Sequence, residues 1–338
     1  MKAIKKKTIN LAIVAAISGI AITQFAYADL PTAFTNTGSI INTRHNLTQS
    51  PLYQVVGQSV NPMNGGRNNY GEVCVYCHTP HGANQANGLV APLWNRTIRV
   101  TNYQTYDELG TTTLTQAVTS TPGSASLTCL SCHDGQTAMD SIINMPGSGR
   151  GLVTQATTQS KTFLDTWNNA DIVPGSADAN NHMGFNSGYA PPPPGYRLGV
   201  GDGSDGVGCM SCHSDVGLIT QILGFNYADF RMANLGTDLR NDHPIGITFP
   251  APPGSPSPDW NTPAGVKGSS NFFDGNSNGR MEKGEIRTYD GKVECASCHD
   301  PHGVPSGGVG TQFNPTFLRK SQSAGGLGSA VCLTCHVK

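Results

Sequence analysis

Charge is scarce in this chain: only 13% of its 338 residues are Asp, Glu, Lys or Arg, against about 25% in an ordinary soluble domain. Neither sign dominates, with 21 Lys and Arg facing 22 Asp and Glu, so the basic stripe that a nucleic-acid partner needs is missing. Beyond Phe25 no stretch is long or apolar enough to cross a bilayer as a helix of about 20 residues. No cysteine stands outside one recurring pattern, which leaves none for a disulfide framework. No fixed period joins the copies of that pattern, which excludes a simple repeat array. Glycine, in contrast, is plentiful at 41 residues, well above its usual share of about 7%. That composition predicts loops.

The first segment has a different character. Lys2, Lys5, Lys6 and Lys7 precede an apolar run from Leu11 to Phe25, followed by Ala26-Tyr27-Ala28. A basic start, a short apolar run and small residues at a cleavage point are the features of a secretory signal peptide. Residues 1–28 are therefore expected to be removed. An uncleaved anchor is the alternative, but the run is short for a span. No cysteine lies near the cleavage point to carry a lipid. Without the four leader lysines the balance becomes 17 basic against 22 acidic residues, so the mature chain, 29–338, is mildly acidic.

All ten cysteines fall in five C-x-x-C-H motifs: Cys74, Cys77 and His78; Cys129, Cys132 and His133; Cys209, Cys212 and His213; Cys295, Cys298 and His299; Cys332, Cys335 and His336. Two thiols three positions apart match the two vinyl groups on one edge of a porphyrin. The adjacent histidine then reaches the iron from one face, as in c-type haem attachment. A thiol redox pair or half a zinc site would explain a single copy, but not an exported chain that uses every cysteine this way. Five covalent haems are expected, numbered I to V in chain order. With so few residues per haem, porphyrin surface must supply much of the core. The expected fold class is a multihaem cytochrome c, mostly loops and turns with a few short helices around a haem chain and little sheet. Thr137 to Asn144 and Tyr227 to Leu235 carry the better helical patterns. The proline runs at 191–194 and 250–258 read as stiff surface connections.

Five histidines remain, one per haem: His45, His81, His182, His243 and His302. His81 in CHTPHG and His302 in CHDPHG stand three residues after a proximal histidine. Held there by a turn containing proline, neither can pass round the porphyrin to the opposite face of its own iron. Each is expected to ligate a neighbouring haem, stapling two haems together. The alternative is a turn histidine bonded to a propionate. Methionine is the competing sixth ligand; Met139, Met183 and Met232 read instead as packing residues, and Met210 lies inside its own motif. Histidine on both faces predicts low-potential carriers.

Residues 274–285, DGNSNGRMEKGE, match the calcium-loop pattern D-x-[DN]-x-[DN]-G-x5-E. Asp274, Asn276, Asn278, the Arg280 carbonyl, Glu282 and Glu285 are the candidate calcium ligands. A plain polar turn is the other reading. Gly201 to Gly206 is too loose a pattern to assign.

CVYCHTPHG, APLWNR at 91–96, CLSCHDG, NDHPIG at 241–246 and VECASCHDPHG together resemble the exported multihaem c-type cytochromes of metal-reducing bacteria. In particular they are similar to the OmcE-like cytochromes that polymerise into extracellular filaments. The resemblance implies bis-histidine haems in stacked and T-shaped pairs, and a histidine that can come from the next subunit. The expected function is electron transfer through five closely spaced haems, as a head-to-tail homopolymer with His45 crossing the subunit contact. Redox partner proteins and extracellular acceptors are the expected partners, and the cell surface or exterior the expected location. A monomeric periplasmic or surface carrier is the alternative. A multihaem reductase is disfavoured, since the chain has no C-x-x-C-K motif to mark an open iron and the spare histidines equal the irons.

Overall fold

The computed structural model describes residues 34–47, 70, 72–86, 89, 91–98, 103–112, 114–135, 137–145, 164, 233, 235–323 and 328–337. The leader, the third motif, His182, Met183, Met210, Met232, the 191–194 and 201–206 segments and most of Tyr227 to Leu235 lie outside them.

Regular structure among the described residues is short and sits mainly at the motifs. Helix α1, Ser124–His133, carries the second motif at its C-terminal end; α2, Cys295–Cys298, and α3, Cys332–Cys335, are single turns formed by the fourth and fifth. The first motif forms a 3-10 turn, Cys74–Tyr76. Two small antiparallel ribbons complete the set. β1, Ile247–Thr248, pairs with β4, Lys292–Val293, and β2, Gly265–Lys267, pairs with β3, Ser270–Phe272. No helix among the described residues is long and apolar enough to cross a membrane.

Helix α1 has no side-chain cap of its own. Its first amides are served by Glu294, far away in sequence: Gly123 N–H donates to both Glu294 carboxylate oxygens at 3.2 Å, and Ser126 Oγ donates at 2.5 Å. An acid at a helix N-terminus also suits the helix dipole. The same carboxylate caps α2 through a reciprocal box with Ser297, and Cys295 N–H donates to Ser126 Oγ. One buried glutamate thus docks the second-motif helix against the fourth. Gly123 is required there, because a Cβ would lie 2.5 Å from a Glu294 oxygen.

Among the described residues apolar burial gathers in three small clusters, each beside a C-x-x-C-H motif. Tyr70, Tyr76, Ala138, Ile142, Met145 and Leu164 pack with Cys77. Tyr103, Leu130 and Leu239 gather around α1; Leu130 is fully buried, a burial that contributes about 2 kcal/mol. Phe249, Ala251, Phe273, Ile286 and Val331 pack with Cys298 and Cys335. The proline-rich 250–258 segment is therefore more than a surface connection, since Ala251 enters this last cluster.

The pattern at Thr137 to Asn144 does not become a helix. Its carbonyls and amides are used across the chain: Arg96 takes the Met139 and Ala138 carbonyls, and Ile143 N–H donates to Asn95 O. Met139 is also 39% exposed rather than a packing residue.

The segment before the first motif lies against the C-terminal part of its own chain. Thr37 bridges Gln312, Phe313 N–H donates to Asn36 O, and the His45 ring stacks on Phe317 with centres 4.2 Å apart.

Candidate haem-binding site

Each described motif is held by a returning strand, and three of these clips share their wiring. At the first motif His78 bridges Trp94, Asn95 N–H donates to Cys77 O, and Asn95 Nδ2 donates to Val75 O. At the fifth, His336 bridges Trp260, Asn261 N–H donates to Cys335 O, and Asn261 Nδ2 donates to Leu333 O. At the fourth, His299 bridges Leu318, and Arg319 takes the asparagine's place, bonding Cys298 O through its backbone and Ala296 O through Nε. A Trp-Asn dipeptide supplies this clip at two motifs, and the sequence signals it where Trp94 and Trp260 are each followed by asparagine.

Three of the motif histidines are fixed in one tautomer by these strands. His78 Nδ1 meets Pro92 O at 2.8 Å, His133 Nδ1 meets Ala233 O at 2.6 Å, and His299 Nδ1 meets Thr316 O at 2.7 Å. A carbonyl on Nδ1 requires its proton to be there, which leaves the Nε2 lone pair for a metal. His45 Nδ1 is likewise held by Pro301 O, and His302 Nδ1 by Asp300 Oδ1, both at 3.0 Å.

Two of the remaining histidines face proximal ones. The His302 and His78 rings have centres 6.1 Å apart and planes 10° from parallel; the His45 and His133 rings have centres 6.2 Å apart and planes at 83°. A metal to imidazole-nitrogen bond of about 2.0 Å, plus roughly 1.1 Å from nitrogen to ring centre, separates two imidazoles on opposite sides of one metal by about 6.2 Å. The two pairs have the spacing of an axial ligand set. His45 thus faces His133 of its own chain.

The CHDPHG turn holds much of this in place. His299 belongs to the fourth motif, the Pro301 carbonyl holds His45 toward the second, and His302 faces the first. Asp300 accepts from both His302 N–H and its ring, and Arg319 Nη1 lies 3.3 Å from the second carboxylate oxygen. Burial alone would push the Asp300 carboxyl up; the His302 bonds and Arg319 reverse this and bring it to about 2. Gly303 closes the turn at φ 75°, where a Cβ would lie 2.2 Å from the Phe313 ring.

The thiols form a track. Burial pushes Cys77 up to about 12, with the Cys132 thiol adding to the effect and Arg96 opposing it. A hydrogen bond between the Cys129 and Cys295 thiols raises the first and lowers the second. Burial pushes Cys298 up to about 11, with Cys332 adding, and Cys335 up to about 12, with Cys298 adding. Motifs one, two, four and five therefore neighbour one another in that order. None of the eight described cysteines is in a disulfide.

The other candidates stand apart. His81 is exposed, and its ring has no partner among the described residues; its carbonyl accepts from Thr79 Oγ1 and Asn144 Nδ2. His243 is exposed, with Nδ1 3.0 Å from Pro244 O, and the neighbouring Asp242 carboxylate bears on the Cys295 thiol of the fourth motif. His182, Cys209, Cys212 and His213 lie outside the described residues.

These features fit a haem. The histidine spacing matches, the free Nε2 atoms are of the right kind, and Cys74 and Cys332 are exposed for attachment. Trp94 Nε1 is a buried donor without a partner, suited to a propionate oxygen.

In the 274–285 loop Asp274 accepts from Asn278 and Gly279 N–H, Asn276 Oδ1 from Asn278 N–H, and Glu285 from Gly275 and Glu282 N–H. The Gly279 amide leads the group of backbone bonds that lower the Asp274 carboxyl. Glu282 accepts from the side-chain amides of Asn276 and Asn278. Among the described residues no three His, Cys, Asp or Glu side chains converge as an ion site, so this loop's candidate ligands are folded onto their own amides.

No protein-family model matches the chain, and no curated protein matches it.

Proposed function

We propose that the protein is an exported electron-transfer protein that carries five covalent haems and passes electrons along them. The observation that carries this reading is the pair of histidine couples, His78 with His302 and His45 with His133, each at the spacing of two imidazoles on one metal. A bound haem supplies a one-electron iron couple whose potential follows its axial ligands. This chain's residues contribute the attachment thiols, fix each imidazole tautomer through a carbonyl or carboxylate on Nδ1, and hold successive motifs in contact. The thiol track supports a transfer order I, II, IV, V for the described motifs.

His243, beside the fourth motif, is the proposed partner of His299. His81 remains as an exposed imidazole free to reach an iron outside its own chain. That supports a head-to-tail polymer at the cell surface, with His81 rather than His45 crossing the contact. Calcium at Asp274, Asn276, Asn278, Arg280 O, Glu282 and Glu285 is proposed to stiffen the approach to the fourth motif.

The test is intact mass and ferric-state spectroscopy of the protein expressed with haem-attachment machinery. Five covalently added haems, all low-spin, are expected. Unmodified thiols would overturn the reading. A whole high-spin haem that binds added ligands would favour the reductase, and a concentrated sample that stays monomeric would favour a diffusible carrier.

A further inference from the structure

Arg96 lies beneath two attachment loops and is fully buried. Its Nη1 donates to Met139 O at 2.6 Å, and Nη2 donates to Ser131 O at 2.7 Å and Ala138 O at 2.9 Å. Ser131 lies inside the second motif, and the guanidinium also bears on the Cys77 thiol of the first. No carboxylate among the described residues forms an ion pair with it, and its Nε is a buried donor without an acceptor. Three carbonyls satisfy hydrogen bonds but do not cancel a charge. A buried cation with no paired carboxylate is costly.

The fourth motif provides the contrast. Arg319 occupies a similar position under its loop, 6% exposed, but lies 3.3 Å from the Asp300 carboxylate. Its charge is largely answered locally. The guanidinium under the fourth motif thus has a carboxylate beside it, whereas Arg96 bonds only carbonyls.

We propose that Arg96 is a potential-setting residue, holding the haems attached at Cys74/Cys77 and Cys129/Cys132 at higher reduction potential than they would otherwise have. A fixed cation in a low-dielectric site favours the reduced iron, which carries one positive charge fewer. The shared position beneath both loops means that the two haems respond together. This inference rests on the five-haem reading.

The test is a redox titration of the haem-loaded protein with Arg96→Gln and Arg96→Lys, after mass has established five haems in each. Arg96→Gln should make reduction of two haems at least tenfold less favourable, about 59 mV for a one-electron couple, and leave the other three in place. Arg96→Lys, which keeps the charge but loses the fork of hydrogen bonds, should restore most of the shift. Equal effects of the two variants, or a shift spread over all five haems, would overturn the proposal. Should Arg96→Gln fail to load haem, Met139→Glu decides the matter: this residue is 39% exposed and its own carbonyl accepts from Arg96 Nη1, so the substitution adds a carboxylate on the residue that the guanidinium bonds. It should lower the same two haems by a smaller, salt-sensitive amount, and no shift would overturn the proposal. A preparation without haem would instead remove the five-haem reading itself.

Discussion

Around the first motif, Trp94 and Asn95 return along His78, and the amide of the buried Asn95 holds the Val75 carbonyl. Around the fourth, Leu318 and Arg319 return along His299 in the same way, with the arginine Nε on the equivalent carbonyl of Ala296. The backbone wiring is common to both, so it is what the motif requires. The side chains are not, and they differ chiefly in charge. At the fourth motif the cation and its carboxylate counterpart belong to one network, Arg319, Asp300 and His302. At the first the nearby cation, Arg96, bonds only carbonyls. The comparison teaches that one scaffold can carry different electrostatics without altering its attachment geometry.

The largest way to break the comparison is Arg319→Met. It leaves Asp300 buried without its partner and removes the bonds under the fourth motif, for an expected loss of about 3–5 kcal/mol in denaturant unfolding of the loaded protein. A loss below that of a surface substitution would show the network to be dispensable. Next is Glu294→Ala, which strips the shared cap from α1 and α2 and leaves Gly123 N–H and Ser126 Oγ without an acceptor. The expected loss is about 2–3 kcal/mol, and unchanged stability would mean that the two helices dock by apolar contact alone. Asn95→Ala should cost about 1–2 kcal/mol and the exposed Asn261→Ala about half a kilocalorie. Equal costs would break the link between burial and the strength of the clip.

Acid sharpens the same contrast. The Asp300 carboxyl is held near 2, below its ordinary 3.8, so its contribution to stability is fully present above pH 3.8 and is lost as pH falls through about 2. Asp300→Asn should remove that part of the acid dependence. An unchanged acid profile would mean that the network does not depend on this charge.

Part of the candidate site was legible because its patterns are local: C-x-x-C-H and the CHxPHG turn can be read letter by letter. The partner of each distal histidine was not legible. His45 is aimed by Pro301 O, a contact that exists only once 34–47 lies along 312–317, and the local Asp300 bond to His302 does not tell which motif that ring faces. Helix boundaries failed for a similar reason. Ala138, Ile142 and Met145 have helical spacing, yet Arg96 and Asn95 take that segment's backbone groups. The N-terminus of α1 could not be read at all, because its cap is Glu294, supplied from another motif.

The most direct test of the central claim is low-temperature electron paramagnetic resonance of the oxidised protein. Low-spin ferric haems with near-parallel imidazole planes give rhombic spectra, and those with near-perpendicular planes give a single large-g feature. His78 with His302 stand at 10° and His45 with His133 at 83°. His302→Ala should therefore remove one haem's worth of rhombic signal, and His45→Ala one haem's worth of large-g signal, each replaced by a high-spin haem. All five haems remaining low-spin in either variant, or the two losses exchanged, would contradict the ligand pairs on which the account rests.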